Sequence, residues 1–150
     1  MTLDLLGDRW SLLIVRDLMV RGYRTFREFQ RSGEGISTNI LADRLRRLEG
    51  GGILLREAAQ DGRSTYYRLT EKGISLAPVL LELFIWGARH ENTGAPCAAI
   101  DRMEQNRAAV LAETYRRWKE RDPTPILPPF GSPTQPAPAG TTASGRRKTQ

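Results

Sequence analysis

The sequence predicts a mainly α protein with one small β-ribbon and a proline-rich end. Three observations carry this. A short capped helix leads through glycines into a longer amphipathic helix. Two β-rich runs flank an Asp-Gly turn. Two further apolar helical segments precede a stretch crowded with prolines.

The first helix is expected from Leu3 to about Met19. Leu5, Leu6, Leu12, Leu13, Val15 and Leu18 supply its core side, Trp10 anchors it, and Gly22 helps to end it. Thr25-Phe26-Arg27-Glu28 then reads as a capping box. The Thr25 hydroxyl accepts from the Glu28 amide, and the Glu28 carboxylate reaches back to the Thr25 amide. Phe26 and Phe29 give that helix one apolar face, and Ser32-Gly33-Glu34-Gly35 stops it near Gln30 or Arg31.

Ser37 is a good N-cap for the next helix, Ser37 to Glu49. Leu41, Leu45 and Leu48 follow the i, i+4, i+7 rule and share a face. Asn39, Ala42, Asp43, Arg46 and Arg47 lie roughly opposite, with Arg44 nearer the apolar edge. Gly50-Gly51-Gly52 ends the helix. Ile53 to Ala58 and Thr65 to Leu69 then form a hairpin around Asp61-Gly62, with Arg63 at its tip. Thr70 caps a further helix. A short helix, a turn, a basic amphipathic helix, a ribbon and another helix, in that order, make a winged helix-turn-helix.

The helix after Thr70 carries Ile74, Val79, Leu80, Leu81, Leu83, Phe84, Ile85 and Trp86, apolar on more than one side. Pro78 should bend or divide it. A second apolar side predicts a second partner, most simply another copy of the chain. Another helix is expected from Ile100 to Arg121, with Ile100, Met103, Val110, Leu111, Tyr115 and Trp118 at partly helical spacing. The dimerisation candidates are therefore Leu80, Phe84, Trp86, Met103, Val110, Leu111 and Trp118. The competing reading folds that last helix back on its own domain. The chain thus divides into a winged-helix domain (1–92), a helical extension expected to dimerise (93–121) and a disordered Pro-rich tail (122–150) ending in Arg146-Arg147-Lys148.

The chain has 150 residues, enough for one core, with 23 Lys and Arg against 17 Asp and Glu, a net charge of +6. That sign favours polyanions, but many small basic proteins bind no DNA; placement of the charge on one helix and one wing is what favours nucleic acid. No window reads as a membrane span or a signal peptide. Cys97 is the only cysteine and His90 the only histidine. That excludes an internal disulfide and an ordinary zinc site, and fits a reducing cytoplasm. His90 has no nucleophile motif nearby, so no catalysis and no cofactor are expected.

Gly7-Asp8-Arg9-Trp10, Leu12 to Leu18, Phe26-Arg27-Glu28-Phe29, Gly35-Ile36-Ser37, Leu41 with Arg44-Leu45, Leu48-Glu49, Gly52-Ile53-Leu54, Tyr67 to Gly73 and Trp86-Gly87 form an ordered set. The set resembles the HxlR-type bacterial winged-helix regulators over roughly residues 3 to 90. MarR-like and PadR-like ligand-responsive regulators share the fold and are the near alternatives. The resemblance implies a homodimeric, cytoplasmic, DNA-binding repressor or activator without catalytic activity. Many members carry a cysteine just before the first helix, and some sense thiol-reactive compounds with it. No such residue stands here, so the resemblance does not carry that sensing over. The wing also lacks the proline often found before its arginine.

On this reading two copies of the Ser37–Glu49 helix enter successive major grooves about 34–36 Å apart on a (pseudo)palindromic operator. Thr38, Asn39 and Arg46 are the candidates for base edges, because Asn pairs with adenine and Arg with guanine. Thr25, Arg27, Ser37 and Arg47 are expected on phosphates, and Arg63 in the flanking minor groove. Asp43 would repel phosphate unless it pairs with Arg46 or Arg47 or accepts from a cytosine amine. A small-molecule effector of unknown identity fits best between the first helix, the Pro78 region and the last helix. A winged helix that only docks proteins is the contrasting reading. It predicts a flat salt response instead of a steep one.

Overall fold

The computed structural model describes residues 2–126. The prolines from Pro128 onward and the expected basic end at Arg146-Arg147-Lys148 lie outside the described residues. The helices are α1 (Thr2–Leu6), α2 (Arg9–Arg16), α3 (Phe26–Gln30), α4 (Thr38–Gly50), α5 (Glu71–Ile74), α6 (Ala77–His90), α7 (Cys97–Gln105) and α8 (Arg107–Glu120). The ribbon is β1 (Leu54–Ala58) with β2 (Thr65–Leu69), antiparallel, in the register Leu54↔Leu69 to Ala58↔Thr65.

The first helix is not continuous, contrary to the reading of one rod from Leu3 to Met19. Asp8 breaks it. Its backbone is extended and its carboxylate accepts from the amides of Trp10 (3.0 Å) and Ser11 (3.2 Å), so it caps α2. At its other end α2 passes into a π-helical turn over Asp17–Arg21, which Gly22 terminates at φ 70°. A side chain at Gly22 is excluded on a second ground, because its Cβ would lie 2.1 Å from the Pro123 carbonyl oxygen.

Ile14 and Val15 of α2, Phe29 of α3, Leu41, Leu45 and Leu48 of α4, and Leu54 and Leu69 of the ribbon form the main core. Burying leucines of this kind contributes about 1.5–3 kcal/mol each. Phe29 meets Tyr23 and Tyr67 edge to face, at 6.3 Å and 6.0 Å between ring centroids. Thr70 caps α5 and also donates from its hydroxyl to the Gly52 carbonyl at 2.6 Å, which ties the end of α4 to the end of β2. Gly73 packs so closely there that a Cβ would sit 2.0 Å from the Ile53 oxygen.

Pro78 divides the helix after Thr70 instead of bending it. It lies in the first turn of α6, where its missing donor costs nothing. The last helix, expected unbroken from Ile100 to Arg121, is two helices split at Asn106, whose φ of −127° is not helical. Leu81, Ile85, Ile100 and Met103 form a second, smaller core.

From there α8 returns to the winged domain. The Trp118 indole Nε1 donates to the Leu69 carbonyl at 2.8 Å, and the Arg68 guanidinium stacks over its ring at 4.9 Å. Arg121 then takes a left-handed turn and pairs with Glu57 on β1. The start of the expected tail is also engaged, with the Ile126 amide donating to the Val20 carbonyl at 2.8 Å. Among the described residues no helix is long and apolar enough to cross a membrane.

Candidate nucleic-acid interface

Two caps and a stripe of leucines set the attitude of α4. Ser37 accepts from the Ile40 amide at 3.3 Å, and Leu41, Leu45 and Leu48 are 0%, 3% and 0% exposed. With that stripe buried, the opposite face must point outward, and Ser37, Thr38, Asn39, Arg46 and Arg47 are all exposed. The Arg46 side chain is 74% exposed. Asn39 has no hydrogen-bond partner among the described residues and keeps its donors and acceptor for a ligand.

The preceding helix is braced against this one. Thr25 and Glu28 form the full capping box, with Glu28 also accepting from the Arg24 amide at 2.8 Å. Burial opposes the Glu28 charge, but these backbone and hydroxyl donors outweigh it and lower its pKa. Gln30 Nε2 donates to the Thr38 hydroxyl at 2.8 Å, a link from α3 to the start of α4 that the sequence reading missed. Arg27 is exposed on α3, with no partner among the described residues.

Asp43 pairs with neither helical partner alone. Its Oδ2 takes the Arg44 guanidinium at 2.5 Å and its Oδ1 lies 3.7 Å from Arg46. Arg47, the other expected partner, instead donates to the Asp4 carbonyl at 2.7 Å. That acceptor is neutral, so Arg47 keeps its full charge at the surface. The Arg44 guanidinium also donates from Nε to Asp8 at 2.9 Å, which makes the cap of α2 a clamp on α4. Burial opposes the Asp8 charge, but hydrogen bonds from Ser11 and Arg44 and the Arg44 charge overcome it. Its pKa falls to about 2.

At the wing tip Asp61 is used up by the turn. It accepts from the Arg63 amide (2.9 Å), the Ser64 amide (3.1 Å) and the Ser64 hydroxyl (3.2 Å). Those donors lower its pKa, led by the Arg63 amide. The Arg63 guanidinium is left exposed with no side-chain partner among the described residues, although an acid stands two positions away.

The dimerisation candidates are placed differently. Met103 lies in the second core, where Phe84, Val110 and Leu111 pack against it, while Leu80 and Trp118 pack on the main core. Trp86 alone among them is exposed, at 56%. Val79 (60%) and Leu83 (48%), which were not among the dimerisation candidates, join it at i, i+4, i+7 on α6 and make the second apolar side expected of this helix. His90 ends α6, exposed, with its ring 5.0 Å from that of Trp86. Cys97 is exposed at the start of α7. Among the described residues no His, Cys, Asp and Glu side chains gather as a metal site.

Residues 5–94 match the HxlR-like helix-turn-helix family. The HTH-type transcriptional regulator YdeP of Bacillus subtilis, itself uncharacterized, is 33% identical over 109 residues, covering 72% of this chain and 80% of that protein. The crystal structure of PA1607 superposes with a TM-score of 0.56 at 45% identity, covering 59% of this chain and 61% of that one. The reduced form of the redox regulator HypR superposes with a TM-score of 0.53 at 35% identity, covering 59% and 87%. The chain belongs to the HxlR-like helix-turn-helix family and is a transcriptional regulator of that type.

Proposed function

We propose that this chain binds duplex DNA sequence-specifically as a homodimer, with α4 of each subunit in successive major grooves of a (pseudo)palindromic operator about 34–36 Å apart. The observation that carries the reading is the outward face of α4. Asn39 and Arg46 stand exposed on a helix whose leucines are fully buried. They and Thr38 reach base edges. Thr25, Ser37, Arg27 and Arg47 hold phosphates, and Arg63 enters the flanking minor groove.

The two subunits meet through the α6 strip of Val79, Leu83 and Trp86. A two-fold contact lets such a patch cover its own copy. The regulator works in the cytoplasm without catalytic activity, and a small molecule adjusts its DNA affinity.

Fluorescence anisotropy tests this, using a fragment selected from genomic DNA and titrated at several salt concentrations. Arg27 and Arg47, doubled in a pair, predict a log–log slope of about −4, at roughly −0.9 per neutralised phosphate. A flat response, or no binding at low salt, assigns the winged domain to protein docking instead.

A further inference from the structure

A cavity of about 460 Å³ opens between α2 with its π-helical turn, α6 and α8. That size lies in the range of roughly 300–1,000 Å³ found for small-molecule sites. Leu12, Leu80, Phe84 and Leu111 are among its mostly apolar lining; Arg9 and Arg16 reach it from α2, and Arg21 from the π-helical turn.

Arg21 is the unusual member of that wall. Its side chain is 10% exposed, and its Nη1 is buried without a hydrogen bond. The nearest acid atoms are poor partners, Asp17 Oδ1 at 3.4 Å from Nη1 and Glu34 Oε1 at 3.9 Å from Nη2. Arg16 has taken both carboxylates, with Asp17 at 2.7 Å and Glu34 at 3.0 Å. Arg9 reaches Glu34 as well, at 3.5 Å. Three guanidinium groups thus share two carboxylates, and the deepest of them has a charged donor to spare. A buried donor of that kind is costly until an acceptor arrives.

We propose that the cavity binds an aromatic or other apolar small molecule carrying one carboxylate, which pairs with the Arg21 guanidinium. This rests on the effector reading above and gives that effector a chemical class and a seat. A second copy seated on the α6 strip would bring Val79, Trp86 and Leu83, the last of which also lines the cavity; none of these carries an acceptor, and the neighbouring Glu82 carboxylate is bound by Arg107. The occupant also touches the element that holds α4. Leu12 lies on α2, and the cap of α2 is the Asp8 that grips Arg44. Occupancy thereby reaches the DNA-facing helix through one ion pair.

Calorimetric titration of the full chain with naphthalene-2-carboxylate and with its neutral amide tests the proposal. The carboxylate should bind at least about tenfold more tightly than the amide, as expected of one charge-assisted hydrogen bond. Arg21→Met should erase that difference, and Leu111→Trp, which fills the cavity, should remove both affinities. Should Arg21→Met unfold, Arg21→Met with Asp17→Asn removes the charge from both partners, and Leu111→Trp remains independent. Equal binding of acid and amide, no binding, or unchanged binding in Leu111→Trp overturns the proposal. So does a carboxylate that only dissociates the dimer in sedimentation, because the cavity is then a subunit contact. DNA anisotropy without the probe stands apart. Lost DNA binding with intact carboxylate binding overturns the operator reading alone. DNA affinity unchanged at saturating carboxylate overturns the effector role.

Discussion

Helices α4 and α8 resemble each other as sequences and behave oppositely in the molecule. Each has an apolar stripe and an arginine-rich outer face. On α8, Arg116 and Arg117 are both held by Glu113 one turn back, at 2.7 Å. Those donors hold the Glu113 pKa down to about 2. On α4, Arg46 has only Asp43 at 3.7 Å among the described residues, and Asp43 is already committed to Arg44. A phosphate approaching α8 would meet neutralised pairs, whereas one approaching α4 would meet an open guanidinium. The pairing of arginines, more than their number, separates the proposed DNA face of α4 from the solvated face of α8.

The buried sides differ as well. The stripe of α4 enters the main core, while α8 divides its contacts between the second core and, through Trp118, the ribbon. Leu48→Ala is the most damaging change we expect, lowering stability by about 2–5 kcal/mol in urea denaturation, because Leu48 is fully buried. A loss under about 1 kcal/mol would mean that α4 is not seated by its leucines. Trp118→Ala comes next, at about 2–3 kcal/mol, since the indole is only partly buried but its hydrogen bond to Leu69 goes too. If Trp118→Ala instead lowered only the dimer association constant and left subunit stability alone, α8 would belong to the subunit contact.

Arg46→Ala should leave the melting temperature alone and cost about 1–3 kcal/mol of discrimination at one base pair, read by competition between operator variants. The same mutation at Arg116 should change no operator preference. A shift there would erase the contrast between the two helices.

The smallest effect concerns the clamp that positions α4. Asp8 has its pKa lowered from 3.8 to about 2 in the fold. A carboxylate with a depressed folded pKa stabilises above its unfolded value, and that stability is lost as pH falls from about 4 through about 2. Asp8 is partly exposed, so screening limits the contribution to about 1 kcal/mol. Denaturation of the wild type and Asp8→Asn between pH 2 and 6 checks this. The two curves should converge at the acid end, and a constant gap would remove the clamp from the account.

Much of the site was legible because its signals are local. The capping box at Thr25, the caps at Ser37 and Thr70, the leucine spacing on α4 and the Asp61-Gly62 turn each depend on neighbours within a few positions. Asp8 was legible on the same terms, as a Gly-Asp pair before an apolar helix, but a continuous stretch of leucines masked it. The partners of Arg44 and Trp118 were not legible. They lie 36 and 49 positions away, and no spacing rule reaches that far.

The sequence by itself determined which segments coil, which pair and which face of α4 is apolar, because those follow from backbone geometry and side-chain period. It also marked Arg46, Arg47 and Arg63, which the fold leaves exposed. Only the tertiary structure decided what each apolar stripe covers, which arginines remain open and where a charged group is left buried without a donor's complement. A stripe records that a helix must leave water, but the surface that receives it comes from elsewhere in the chain.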